Sequence, residues 1–164
     1  MADLPPFLYR GFDPDRYVES AGGLAPRAPG QPFKHTFHAG EVMDAARGRV
    51  LTVDDGVVAG DSDVNATIRH QSDPEHGWKD SGISTTPFQH RAEHYATHAG
   101  ARANGEVLVI DTSLLARNRV IPYRVRTAAG KPAVPEDDEY ILVAGDCGAL
   151  PEAIVVRRYQ TVTV

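Results

Sequence analysis

The chain has 164 residues, of which 41% are hydrophobic, and a formal net charge of −5 at pH 7. This length is typical of one domain, and the apolar fraction excludes wholesale disorder. The acidic balance excludes a general electrostatic attraction to nucleic acid, and the single cysteine, Cys147, excludes an intramolecular disulfide framework. We therefore expect a single domain over residues 1–164.

Membrane and secretion signals are missing from the sequence pattern. No apolar run approaches the roughly 18 residues of a membrane span, so we expect no membrane partner. The first residues, MADLPPFLYRG, lack the basic segment and the long apolar segment that together mark a secretory signal. We expect a cytoplasmic protein.

The first half of the chain offers few regular patterns. Residues 7–9 are apolar and aromatic and lie between Pro6 and Gly11, which predicts a short strand with Arg10 at its end. Further along, the composition predicts a mixture of loops and short helices. These are a long loop over 20–40, a helix over Glu41–Arg47, weak alternation over 49–61, a helix over 64–69 that Asp63 could cap, and a polar loop over 72–80.

The middle of the chain is more regular. Residues 82–85 predict a strand, after which Thr86 is a favourable N-cap and Pro87 a favourable first helical residue. We expect the helix to continue to about Ala99 and to stop near Gly100. Its apolar residues recur at helical spacing and predict one buried stripe. They are Phe88, Ala92, Tyr95, Ala96 and Ala99.

The last third of the chain is dominated by strand patterns. Strands are predicted over 106–111, 119–126, 139–144 and 153–164. Pro122 cannot donate a ladder hydrogen bond, which assigns the second of these to a sheet edge or a bulge. Because no helical crossovers separate the strands, we predict an α+β fold with mostly antiparallel sheets.

Three separated segments carry groups that can act together on one ligand. Arg10 can hold an anion through its guanidinium fork. The hydroxyls of Ser84, Thr85 and Thr86 stand at a strand-to-helix junction and can orient a neighbouring carboxylate. The acidic run that ends in Glu139 enters an apolar strand, where a carboxylate could act on a sugar. The hypothesis is that these three segments form one site.

This order of residues resembles the Arg–Ser–Glu pattern of mono-ADP-ribosyltransferases of the cholera-toxin-like and bacterial effector branch. The resemblance lies in LYRG (8–11), in GISTTP followed by a helix with HYA (82–96), and in DDEYILVAG and LPEAIVV (137–156). It covers about half of the chain, and residues 20–78 match no part of the pattern. The family fold implied is two facing, mostly antiparallel sheets with short helices and an NAD cleft between them.

The resemblance implies a role for each matched residue. Arg10 binds the diphosphate or the nicotinamide ribose side of NAD, and the backbone of Gly11 contacts the nicotinamide carboxamide. Ser84 orients the catalytic Glu139, which contacts the 2′-hydroxyl of the nicotinamide ribose. The pocket is shaped by Thr85 and Thr86.

Two further positions take alternative roles. Asp137 stands two residues before the glutamate, where Glu accompanies arginine modification and Gln the modification of other acceptors. Asp is shorter than Glu by one methylene and departs from both. In another strand register, Glu136 or Asp138 could take this acceptor position instead. Phe88 could stack on nicotinamide, although its place on the helix stripe favours core packing.

The implied activity is cleavage of NAD with transfer of ADP-ribose to a macromolecular acceptor, a protein or a nucleic acid. A bacterial toxin or effector of this kind would act in the cytoplasm of the producing cell or of a target cell, and a cognate immunity or antitoxin protein is a possible partner. The alternatives are an NAD glycohydrolase on the same scaffold and a non-catalytic binding module. No metal is needed for this chemistry, because cationic nicotinamide is already a good leaving group.

A competing interpretation comes from the predicted helix. His90, Glu93 and His94 match the H-x-x-E-H arrangement of inverzincin metallopeptidases, in which two histidines bind zinc and the glutamate acts as base. A two-residue step rotates a helix by about 200°, so these histidines are expected opposite the buried stripe and facing solvent. An exposed polar helix face is the simpler explanation.

Overall fold

The computed structural model describes residues 4–15, 21–30, 35–36, 41–44, 49–52, 61–62, 81–102, 104–126 and 134–162. In these residues the fold is α+β, as the sequence predicts. The elements, in chain order, are β1 (Phe7–Phe12), β2 (His35–Thr36), β3 (Glu41–Asp44), β4 (Arg49–Thr52), β5 (Asp61–Ser62), β6 (Ile83–Thr85), α1 (Gln89–Ala96), β7 (Asn104–Asp111), β8 (Val120–Arg124), β9 (Tyr140–Ala144) and β10 (Val155–Val162).

Two three-stranded antiparallel sheets form the centre of the described fold. Sheet I has the order β1-β7-β10, and sheet II has the order β6-β9-β8. The central strands β7 and β9 carry the most continuous apolar runs, which is expected of strands whose two faces are both buried. Among the described residues β8 lies at an edge of sheet II, which is one of the two alternatives, edge or bulge, predicted from Pro122.

The two sheets are joined where β1 passes the end of β6. Tyr9 donates its backbone N–H to the Thr86 carbonyl at 2.7 Å and accepts the Thr86 N–H at 3.0 Å. Side chains from both sheets also fill one hydrophobic core, which fixes the sheets against each other. The core members are Leu8, Phe12, Leu24, Ile83, Leu108, Ile110, Leu115, Val120, Tyr140, Leu142, Ala144, Leu150 and Ile154.

Helix α1 covers the other face of sheet I. Ala92 and Ala96 are buried against Val107, and Tyr9 and Tyr159 pack beside them. The helix is shorter than the predicted 87–99. It begins only at Gln89, because the backbone of Phe88 is extended, with φ of −105° and ψ of 112°. The hydroxyl of Thr86 accepts the backbone N–H of Phe88 at 3.1 Å, just before the helix.

Some predicted elements differ from the observed ones or fall elsewhere. The helix predicted over Glu41–Arg47 is wrong at its start, because Glu41–Asp44 is a strand paired with Arg49–Thr52. His35–Thr36 pairs with Asp61–Ser62 inside what we expected to be loop and weakly alternating chain. The helix predicted over 64–69 and the loop over 72–80 lie outside the described residues. No helix of the described ranges is long and apolar enough to cross a membrane.

Candidate active site

Arg10 lies on the face of β1 that looks toward the second sheet. Leu8 and Phe12, two residues away on either side, belong to the shared core, and alternation places the Arg10 side chain on the same face. Its Nε donates to the Gly23 carbonyl at 2.6 Å and its Nη1 to the Ser84 carbonyl at 3.1 Å. The residue is inside the strand, paired with Leu108, and not at the strand's end as expected. The guanidinium is therefore fixed at the junction of the sheets.

Ser84 and Glu139 meet on one face of sheet II. Ser84 pairs with Ile141, so the residue two positions before Ile141 is its diagonal neighbour on that face. The Ser84 hydroxyl donates to Oε1 of Glu139, and both side chains are partly exposed. Glu139 directly precedes β9, whose first residue is Tyr140, so the carboxylate lies just before the start of the strand and not within it.

The two threonines after Ser84 act as buried anchors. Thr85 donates its hydroxyl to the Tyr140 carbonyl at 2.8 Å, and Thr86 donates its hydroxyl to the Asp137 carbonyl at 2.6 Å. Each is only 4% exposed. They hold the backbone on both sides of Glu139, which is a more structural role than lining the pocket.

The acidic run is not a solvated turn, because Asp137, Asp138 and Glu139 each have a protein partner. Asp137 is buried and accepts from Arg91 at 2.6 Å and from the Tyr95 hydroxyl. Asp138 adopts a left-handed backbone conformation with φ of 42°. Its carboxylate accepts two hydrogen bonds from Arg124, at 3.0 and 2.8 Å. The third carboxylate, that of Glu139, accepts from Ser84, so each of the three acidic side chains is held by a different partner.

Gly11 is required by the packing of α1. A Cβ built on Gly11 would lie 1.7 Å from the Ala92 carbonyl oxygen, so the helix can approach β1 only where this side chain is missing. The backbone N–H and C=O of Gly11 are directed toward neither α1 nor β7. Tyr9 directs its N–H and C=O toward Thr86, and antiparallel alternation turns those of Gly11 to the same side, away from β7.

Phe88 does not pack in the core. It stands just before the first residue of α1 and is 41% exposed, and Tyr95 of the same predicted stripe is 44% exposed. Core packing of Phe88 is therefore wrong, because the helix starts later than expected and only Ala92 and Ala96 remain on its buried face. The Phe88 ring lies 5.9 Å from the ring of His90.

The histidines of α1 are exposed, as the helix geometry predicts. His90 and His94 face solvent. Glu93 is engaged, since it accepts from the Tyr159 hydroxyl and from the Gln89 amide, both at 2.9 Å. Within the described part of the chain, no three His, Cys, Asp or Glu side chains are grouped so that they could hold a metal ion.

Sequence reasoning missed Arg91, Tyr95, Arg124 and Gly23, which hold the site together. Arg91 and Asp137 are 46 residues apart, and the backbone carbonyl of Gly23 has no side-chain signature. The spacing of Tyr95 predicts a place on the buried stripe and gives no sign of a partner for its hydroxyl. None of these contacts follows from a local pattern.

Tyr95 of α1 and Tyr159, which packs beside α1, have raised pKa values. Burial, reinforced by the hydrogen bond to Asp137, raises the pKa of Tyr95 to about 12. Burial and the hydrogen bond to Glu93 raise the pKa of Tyr159 to about 12 as well. Both hydroxyls therefore stay protonated, and remain donors, at neutral pH.

We predict that Tyr95 and Tyr159 ionise above the ordinary range of tyrosine in an ultraviolet absorbance titration and that Tyr95→Phe removes one late group. A folded pKa above the ordinary value of about 10 means that the stabilisation is complete below that pH and is lost as the pH rises toward 12. Urea unfolding should show this loss between about pH 10 and 12, less steeply in Tyr95→Phe. Removal of a group that ionises near the ordinary tyrosine pKa would contradict the assignment.

Comparison with known proteins adds no family assignment. No protein-family model matches the chain. A search of curated proteins also finds no match. The functional argument consequently depends on the residues and their geometry.

Proposed function

We propose that the chain is an NAD-dependent mono-ADP-ribosyltransferase that cleaves the bond between nicotinamide and ribose. The observation that carries the proposal is the direct contact among Arg10, Ser84 and Glu139. Arg10 donates to the carbonyl of Ser84, and the hydroxyl of Ser84 donates to Glu139. Segments 74 and 55 residues apart are thus joined by two hydrogen bonds.

The chemistry suits a carboxylate held in this way. When the glycosidic bond of NAD breaks, its electron pair moves to the nicotinamide nitrogen and positive charge develops on the ribose. A fixed carboxylate beside the sugar stabilises that charge. In this proposal Glu139 supplies the carboxylate and contacts the ribose 2′-hydroxyl, while Ser84 keeps it oriented. The acceptor's nucleophile then bonds to the ribose C1′ and loses its proton to solvent or to a nearby base.

The other matched residues fit the remaining parts of the dinucleotide. The Arg10 guanidinium is a suitable partner for a diphosphate, because anion recognition by arginine uses several donors at fixed angles. Gly11 turns its backbone groups toward the side on which Ser84 lies, where they could meet the nicotinamide carboxamide. Exposed Phe88 is a candidate stacking partner for the nicotinamide ring. In this proposal NAD binds at the junction of the two sheets, where β1 passes the end of β6.

The biological setting follows from the same proposal. A small enzyme of this class fits a bacterial toxin or effector that modifies a protein or nucleic acid in the cytoplasm, and a cognate immunity or antitoxin protein would restrain it. An NAD glycohydrolase would use the same three residues with water as acceptor.

The proposal is tested by incubating the purified chain with labelled NAD, with and without cell lysate. Mass spectrometry measures both free nicotinamide and any adduct of ADP-ribose. Nicotinamide release with an adduct supports the transferase, and release without an adduct in any lysate supports the glycohydrolase. No release above that of a boiled sample would contradict both.

A further prediction concerns the serine. Ser84→Ala removes one hydrogen bond to the catalytic carboxylate, and we expect nicotinamide release to slow about tenfold, as for the loss of one bond to a charged group. Ser113→Ala is the matched control, because Ser113 also donates to a carboxylate, Asp111, but at an exposed turn. Equal rates for the two variants would contradict the role of Ser84.

A further inference from the structure

The carboxylate of Asp137 is held by two side chains of helix α1. Nε of Arg91 donates to one oxygen at 2.6 Å and the hydroxyl of Tyr95 donates to the other. Asp137 is 7% exposed, and the Arg91 side chain is 22% exposed. We call these three residues the Asp137 clamp. Its two donors are one helical turn apart, so one face of α1 presents both.

The clamp fixes the backbone that leads to the catalytic residue. The Thr86 hydroxyl donates to the Asp137 carbonyl at 2.6 Å, so both the side chain and the main chain of Asp137 are anchored. Two residues later, the Glu139 carbonyl accepts the backbone N–H of Val125 at 2.9 Å. Between these anchors the chain has little freedom, so the position of Glu139 depends on the position of Asp137.

The resemblance implies that the position two residues before the glutamate faces an acceptor. A carboxylate that receives the donors of Arg91 and Tyr95 at a nearly buried position is turned instead toward the protein. Removing either donor leaves a nearly buried carboxylate with one hydrogen bond fewer, which is costly for a charged group, so the clamp resists opening. Acceptor recognition through this carboxylate would have to reach a nearly buried side chain that already accepts from both donors.

We propose, building on the proposed function, that Asp137 is a positioning residue that fixes Glu139 through Arg91 and Tyr95, and that acceptor choice lies with other residues. The positioning effect passes through a short segment, since only Asp138 separates Asp137 from Glu139 in the sequence. A displacement of about 1 Å in a reacting group can lower a rate by about 10²-fold. The clamp therefore acts on the cleavage of NAD itself, before any acceptor is involved.

The test is steady-state kinetics of nicotinamide release with water as the only acceptor. Tyr95→Phe removes one hydroxyl, and Asp137→Asn removes the negative charge and replaces one of the two accepting oxygens by an amide donor. We expect each to lower kcat about 10- to 100-fold and to leave KM for NAD within about twofold, because the dinucleotide is bound elsewhere. Tyr159→Phe is the matched control, since it deletes a tyrosine hydroxyl that donates to another carboxylate, Glu93. It should keep the wild-type rate.

The acceptor role gives a different result. If Asp137 binds the acceptor, Asp137→Asn cleaves NAD with water at the wild-type rate and loses only the transfer, and Tyr95→Phe changes neither. Wild-type cleavage by both variants would overturn the proposal, as would an equal loss of kcat in Tyr159→Phe.

A second readout needs no activity. Hydrogen exchange of the Val125 amide, which donates to Glu139, should become at least about tenfold faster in Tyr95→Phe, while the β7 amides keep their rates. Unchanged exchange at Val125 would overturn the clamp even in a chain that cleaves NAD. Conversely, faster exchange in a chain that releases no nicotinamide would support the clamp as an anchor of this loop while contradicting the proposed function.

Discussion

Glu139→Gln is expected to release nicotinamide from NAD about 10²- to 10³-fold more slowly than the unchanged chain. The substitution keeps the size of the side chain and its ability to accept from Ser84, but it removes the negative charge. In the proposed mechanism this charge stabilises the developing positive ribose, so kcat should fall while KM for NAD changes little. Nicotinamide is measured by chromatography under saturating NAD.

Glu136→Gln is the matched control for this experiment. Glu136 is exposed and three residues away, and in a different strand register it could have taken the acceptor position given to Asp137. We expect it to retain the wild-type rate within about twofold, as is usual for an exposed side chain outside the site. A wild-type rate in Glu139→Gln, or an equal loss in Glu136→Gln, would show that the wrong carboxylate has been assigned.

Gly11→Ala is expected to destabilise the fold by about 3 kcal/mol, at the upper end of the range for overpacking. The added Cβ would lie 1.7 Å from the Ala92 carbonyl oxygen and 2.9 Å from the Ala96 backbone nitrogen. Both contacts are with backbone, so no side chain can rotate out of the way and the whole helix must shift. Urea denaturation followed by circular dichroism measures the free energy of unfolding.

The comparison for Gly11→Ala is Gly100→Ala. A Cβ at Gly100 meets nothing within 4 Å, but its φ of +85° is one that alanine disfavours. We expect a cost of about 1 kcal/mol from the backbone conformation alone. If Gly11→Ala cost no more than Gly100→Ala, the close approach of α1 to β1 would be wrong.

The strands of the second half could be predicted because local pattern and tertiary role agree there. The apolar runs in 106–111 and 139–144 become the central strands of the two sheets, where burial on both faces favours such residues. The helix prediction at Glu41–Asp44 is wrong because this short polar-apolar sequence fits either element. Only its pairing with Arg49–Thr52 decides the matter, and propensity does not contain that information.

The candidate site was predictable to a different extent. Arg10, Ser84 and Glu139 could be grouped from the order of their segments, and two hydrogen bonds join these residues in the structure. Their supports could not be predicted. Arg91 reaches Asp137 only because α1 lies across sheet I, and that placement depends on the missing side chain of Gly11. Such contacts arise from packing, which a linear spacing does not show.

The central claim is tested most directly by a crystal structure of the Glu139→Gln variant with NAD, since slow turnover should preserve the intact dinucleotide. The account predicts the nicotinamide ribose beside the substituted side chain, with the 2′-hydroxyl within hydrogen-bond distance of its amide, and the diphosphate within reach of Arg10. A dinucleotide bound at another surface, or none at millimolar NAD, would contradict it.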